Sequence, residues 1–113
     1  MHELSIIYNI IEIAEEHLKK SGASTISKIE LEIGTLAGVE WQALDFAWDV
    51  GVQRSVLENA DRQIHKVEGK ARCLECDTVF EVQNLFDACP NCNSFFNEIL
   101  QGKELNVKAL TLV

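Results

Sequence analysis

Four cysteines, Cys73, Cys76, Cys89 and Cys92, form a C-x2-C-x12-C-x2-C array, written "CLEC" and "CPNC". A gap of two residues lets each pair present both sulfurs from one tight turn. The twelve residues between the pairs are enough to send a short strand out and bring it back. Four thiolates around one ion suit the tetrahedral preference of zinc, which has no redox chemistry of its own. An iron or iron–sulfur centre uses the same ligands. Two disulfides, or a redox-active C-x-x-C pair, fit less well. The chain shows no secretory segment, and a second pair at this distance favours shared ligation. Four protein sulfurs would leave no open position for water or substrate, so the array reads as structural.

Around the cysteines the main apolar candidates for a core are Val79, Phe80, Val82, Leu85, Phe86, Phe95 and Phe96. So small an inventory usually needs its metal to fold. Residues 70–101 therefore read as an inserted zinc-ribbon domain, flanked by a host domain made of residues 1–69 and 102–113.

The host has enough pattern to specify its own layer. Leu4, Ile7, Ile11, Ala14 and Leu18 recur at spacings of three and four, which predicts an amphipathic helix over about 3–20. Gly22 is placed to close it. In "TISKIELEIG", Ile29, Leu31 and Ile33 alternate with charged residues, the signature of a strand with one wet face. A second helix is expected from about Glu40 to Val52, with Trp41, Leu44, Ala47, Trp48 and Val52 as its apolar side. Short strands are expected around 64–67 and in "GKELNVKALTLV". The fold class is thus α+β: two helices on a small three-stranded mixed sheet, interrupted by the ribbon.

Charge narrows the function. Ten basic and eighteen acidic side chains give a net charge of −8. Nonspecific grip on nucleic acid needs Lys and Arg to neutralise phosphates, so that role is disfavoured. An acidic chain better suits a cation or a partner with a basic face. No run approaches the roughly 18–20 apolar residues that cross a bilayer, and a cytoplasmic location without membrane attachment is expected. Neither a Gly-rich phosphate loop nor a nucleophile–histidine set is evident, so no enzyme is expected.

The start of the chain, "MHELS", places one of only three histidines at position 2. The Met1 amine, the His2 backbone nitrogen and the His2 imidazole can close two fused chelate rings on one ion. Nickel(II) and copper(II) favour such nitrogen-rich tetragonal surroundings. The ordinary reading is a solvent-exposed histidine, with Glu3 a favourable charge in a first helical turn. His17 reads as a residue on the helix exterior and His65 as one in or beside a strand.

Taken together, "MHELS", "LEIGTLAGVE", "ARCLEC…CPNC" and "GKELNVKAL" resemble the HypA/HybF family of hydrogenase nickel-incorporation proteins, in order and over nearly the whole chain. The resemblance implies a small nickel metallochaperone serving nickel–iron hydrogenase, in some organisms also urease. Its ligand pattern implies exchangeable Ni(2+) held near His2 and Glu3, with Glu40 a weaker carboxylate candidate. It also implies structural Zn(2+) on Cys73, Cys76, Cys89 and Cys92. The implied partners are a nickel-dependent GTPase of the HypB type and the hydrogenase large-subunit precursor; any homo-oligomer should be weak. Two departures stand out. Asp77 and Asn93 follow the second cysteine of each pair where relatives often carry Gly, and Trp41 stands where many have Pro. Neither removes a ligand. The competing reading is a zinc-ribbon protein-interaction adaptor without transferable metal.

Overall fold

In the computed structural model, which describes residues 3–113, the alternation of "ISKIELEIG" becomes a nine-residue strand, β1 (Ile26–Gly34). Before it lies α1 (Glu3–Ser21), and after it α2 (Trp41–Gly51) and β2 (Asp61–Val67). Then come β3 (Lys70–Cys73), β4 (Val79–Glu81), β5 (Asn97–Gln101) and β6 (Leu105–Leu112). The strands make two three-stranded sheets, ordered β2-β1-β6 and β4-β3-β5. This is the expected α+β class.

The chain divides into two compact units. The first contains residues up to Leu31, Val39–His65 and Asn106–Val113; the second contains Glu32–Gly38 and Lys66–Leu105. All of 70–101 falls in the second unit, together with the turn that follows β1.

Within the first unit, α1 buries Ile6, Ile7, Ile10, Ile11 and Ala14. The expected stripe through Leu4 and Leu18 is therefore displaced by part of a turn, and Leu4 is 40% exposed. Two overlapping stripes exist in this isoleucine-rich helix, and spacing alone does not select between them. At Gly51 a side chain would come within 2.9 Å of Ile7 Cγ2, so α2 approaches α1 where it has none. Leu44, Ala47 and Trp48 supply the buried side of α2 and Val52 is buried just beyond it, as the sequence predicts, whereas Trp41 at the first position is half-buried. Each fully buried branched side chain contributes about 1.5–3 kcal/mol relative to exposure. Arg62 on β2 lies 5.3 Å from the Trp48 ring centroid and donates to Asp45 Oδ1 at 2.7 Å. This anchoring extends β2 back to Asp61, earlier than its apolar content implies. On the sheet, His65 and Glu30 are 2.9 Å apart. That bond chiefly holds the Glu30 carboxyl below its ordinary range, with help from Lys28 and Lys108.

In the second unit β3 is central and both its partners run antiparallel. Ala71 faces Phe80 and Ile99, and Arg72 faces Val79 and Glu98, so buried and exposed residues alternate across the sheet. Three glycines close the base. A Cβ on Gly34 would sit 1.8 Å from the carbonyl oxygen of Gly102, and one on Gly69 would sit 2.5 Å from that of Val82. Gly102 itself has φ +117°, which side-chain-bearing residues rarely adopt. Because these neighbours are backbone, they cannot step aside by changing rotamer. Gly34→Ala is expected to destabilise the protein by at least about 1–3 kcal/mol, as overpacked sites do. An unchanged urea midpoint for that variant would contradict the packing described.

Candidate metal centre

The two cysteine pairs sit in turns with the same hydrogen-bond frame. In the first, the Asp77 N–H donates to Cys73 O at 2.9 Å and the Cys73 N–H to Thr78 O at 2.9 Å. In the second, the Asn93 N–H donates to Cys89 O at 2.8 Å and the Cys89 N–H to Ser94 O at 2.9 Å. Asp77 and Asn93 have φ of 61° and 62°. They occupy left-handed positions, and a short polar side chain tolerates that geometry. Both turns form without glycine.

These turns bring all four sulfurs within 4.8 Å of one another. Cys73 and Cys92 are 3.5 Å apart, and Cys76 and Cys89 are 3.7 Å apart. A tetrahedron with metal–sulfur bonds of about 2.3 Å has edges of about 3.8 Å. The spacing therefore fits one central ion and is far too long for disulfide bonds of about 2.05 Å. Cys73 and Cys89 are buried, Cys76 is half-buried and Cys92 is exposed. The set is a four-cysteine metal site consistent with zinc.

The electrostatics point the same way. Cys76 is pulled down to about 6, first by the Thr78 hydroxyl, then by the Asn91 side-chain amide and the Thr78 backbone. The Thr78 Oγ1 and Asn91 Nδ2 contacts to its sulfur are 3.2 and 3.5 Å. At Cys92 the Ser94 backbone favours the thiolate, but Cys73, burial and the remaining cysteines prevail and push the thiol up to about 12. One thiolate forms readily and a crowd of them is resisted. A divalent cation at the centre removes that resistance.

Neighbouring residues hold the second turn in place. Asp87 Oδ2 accepts from the Gln83 and Asn84 N–H groups at 2.9 and 3.1 Å, which keeps its carboxyl below the ordinary value of 3.8. The Asn97 amide donates to Asp87 O and Ser94 O at 3.0 and 3.3 Å. Thr78, Asn91, Asp87 and Asn97 were not singled out by the sequence reading. The signal available for them was the repeated frame itself, with a polar side chain near each sulfur pair.

At the other candidate site, His2 lies outside the described residues. Glu3, in the first turn of α1, is described, and its carboxylate accepts from the Glu40 N–H at 3.3 Å. Glu40 caps α2: its two oxygens accept from Gln42 N and Ala43 N at 3.1 and 2.7 Å. The fold thus joins two acidic residues separated by 37 positions in sequence. Glu40 has a structural duty that satisfies first-turn donors.

Comparison with known proteins agrees with this arrangement. A family model described as "Hydrogenase/urease nickel incorporation, metallochaperone, hypA" matches residues 1–112. The chain is 46% identical to the hydrogenase maturation factor HypA of Parabacteroides distasonis, covering 99% of this chain and 97% of that protein. It is 38% identical to the HypA of Rhodobacter capsulatus over the full length of both. Among solved structures, the solution structure of the nickel metallochaperone HypA from Helicobacter pylori superposes with a TM-score of 0.71. That pair shares 27% identity and covers 100% of this chain and 98% of the other.

Proposed function

The chain belongs to the HypA family of hydrogenase and urease nickel-incorporation metallochaperones, and from that premise we propose that it binds Ni(II) at its amino terminus and delivers it to immature nickel–iron hydrogenase. The observation that carries this reading is the division of donor chemistry. The four thiols gather at tetrahedral spacing in the second unit, whereas Glu3, the neighbour of His2 in sequence, begins α1 in the first. Cys73, Cys76, Cys89 and Cys92 hold zinc as a fixed structural ion. His2, the terminal amine and adjacent backbone nitrogens receive nickel as cargo.

Cargo has to leave, and the proposed site suits departure. Ligands on a chain terminus can be displaced one at a time by an acceptor's ligands, so no closed cage has to open. Protons compete for the same nitrogen lone pairs, so acidification loosens the metal. The Glu3–Glu40 hydrogen bond links the first turn of α1 to the start of α2, beside the proposed site in sequence. A HypB-type GTPase would act as nickel donor or co-carrier, and the hydrogenase large-subunit precursor as recipient. The protein moves an ion between ligand sets and makes no covalent bond of its own.

Calorimetric nickel titration of protein with a native Met1 tests the reading against protein extended ahead of Met1. The native form should take up one nickel with its zinc retained, and the extended form should bind far more weakly because its amine has become an amide. Equal binding by both, or nickel entering by displacing zinc from the thiolates, would overturn the proposed site. No uptake at all would leave the zinc-ribbon adaptor as the better description.

A further inference from the structure

β6 is an edge strand, because the sheet order β2-β1-β6 gives it one neighbour. Its end is locked to the chain before β1 by a two-way exchange. Val113 N donates to Thr25 O at 2.9 Å and Thr25 N to Val113 O at 3.2 Å. In an antiparallel ladder such exchanges recur at every second residue. From that phase, Leu112, Leu110 and Lys108 turn their backbone N–H and C=O groups away from β1, toward the open side.

Along that open side runs a groove of about 530 Å³, within the first unit. Ile13 of α1 and Val107, Ala109, Leu110 and Leu112 of β6 give it an apolar lining drawn from both faces of the strand, and His17, Lys20, Ser21 and Lys108 give it a polar one. No carboxylate is among its lining residues, although the whole chain has a net charge of −8, and the nearest acid to Lys108 that the electrostatics identify is Glu30 on the neighbouring β1. The acids of α1, Glu12, Glu15 and Glu16, line a different depression together with Lys19.

We propose that this edge is a docking site for an extended acidic segment of a partner protein, which adds to β6 as a fourth strand. Strand addition uses main-chain hydrogen bonds for affinity, while alternate side chains fill the pockets beside the edge. The groove offers both parts: open backbone groups on β6 and an apolar lining next to them. Charge then selects the guest. Carboxylates on the incoming strand would meet Lys20 or Lys108, according to the face of the sheet on which they stand.

The same charges argue against a second copy of this chain as occupant. Two β6 edges pairing about a two-fold axis would bring both sets of cations together. A lysine on an edge strand is a common guard against self-pairing. Here Lys108 blocks a like partner and admits an unlike one.

The test uses 15N-labelled full-length protein and three nine-residue peptides with blocked ends: valine alternating with glutamate, valine alternating with lysine, and the first with alternate amides N-methylated. The glutamate peptide should shift the amide resonances of 108–112 and slow hydrogen exchange at Lys108, Leu110 and Leu112. The lysine and N-methylated peptides should do neither. Lys20→Glu combined with Lys108→Glu should weaken binding roughly tenfold, as two exposed charge pairs would. The variant's own spectrum reports whether it remains folded. Absence of shifts with the glutamate peptide at millimolar concentration would overturn the proposal, as would equal binding of the lysine peptide. Protection at β6 that rises with protein concentration and needs no peptide would assign the edge to a second copy and overturn it too.

Discussion

Chelating the metal from the four cysteines is expected to unfold residues 70–101 while the helices keep their structure. The reason lies in what this segment buries. Of the seven apolar side chains that the sequence offers as its core, Val82 is buried and Phe80 half-buried. Val79, Leu85, Phe86, Phe95 and Phe96 are exposed, Phe86 to 86%. The buried set is otherwise Ala71, Cys73, Cys89 and the polar Ser94, so two of the few inward side chains are themselves candidate ligands. Small structural zinc sites bind with apparent free energies of roughly 10–16 kcal/mol, which exceeds anything so few apolar groups supply. Without the ion, packed thiols and the resistance to multiple thiolates remain, with little to offset chain entropy. Cys73→Ser and Cys89→Ser should be worse than Cys92→Ser, because their hydroxyls would be buried where sulfur is now fully enclosed. Amide spectra recorded before and after chelation check the expectation. Dispersed signals from 70–101 in metal-free protein would refute it.

That outcome also bears on how much of the molecule could be read from its sequence. The cysteine spacing carries its own geometry: two short turns and one return trip suffice to assemble the sulfurs, and the tetrahedral spacing follows. β1 and β6 were legible for a similar reason, since alternation and strand length are local properties. The core of α1 was only half legible. A run with isoleucine at 6, 7, 10, 11 and 13 satisfies more than one helical stripe, and tertiary packing, which spacing does not show, made the choice. Exposure of the ribbon's phenylalanines was misread because hydrophobicity predicts burial only where there is something to bury against. The union of Glu3 with Glu40 could not be seen at all from spacing. It depends on how α1 packs beside α2, and the strand and turn between them carry no mark of it.

Those exposed aromatics and the open β6 edge share one physical meaning. The chain spends little of its apolar surface on self-burial in residues 70–101, and it leaves β6 at the edge of its sheet. A metal carrier that exchanges cargo with other proteins needs such accessible surface, whereas a freestanding zinc module needs less of it. The adaptor and carrier readings therefore share partner contact and differ in one thing, the nitrogen donors at the start of the chain.

Replacing His2 with alanine is expected to lower nickel affinity by at least about a hundredfold, or about 2.7 kcal/mol, with zinc content and fold unchanged. Changes in groups that merely support a metal ligand commonly weaken binding by about 10–100-fold, so loss of a direct imidazole donor should reach or pass that range. The fold should survive because the first described turn of α1 is held by Glu3 on the Glu40 N–H and by Ile6 and Ile7 in the core. Two further variants separate liganding from positioning. Glu3→Gln keeps an acceptor for the Glu40 N–H; near-normal nickel binding there would mean that any contribution of residue 3 comes through its backbone nitrogen. Glu40→Ala removes the α2 cap and should destabilise the protein by about 0.5–2 kcal/mol. A matching loss of nickel affinity in that variant, beyond what Glu3→Gln shows, would make the Glu40 carboxylate a ligand as well as a cap. Calorimetry and metal analysis on protein with an untouched Met1 decide among these outcomes. Nickel affinity retained in His2→Ala would remove the imidazole from the ligand set and, with equal binding by protein extended ahead of Met1, would move the cargo site away from the terminus.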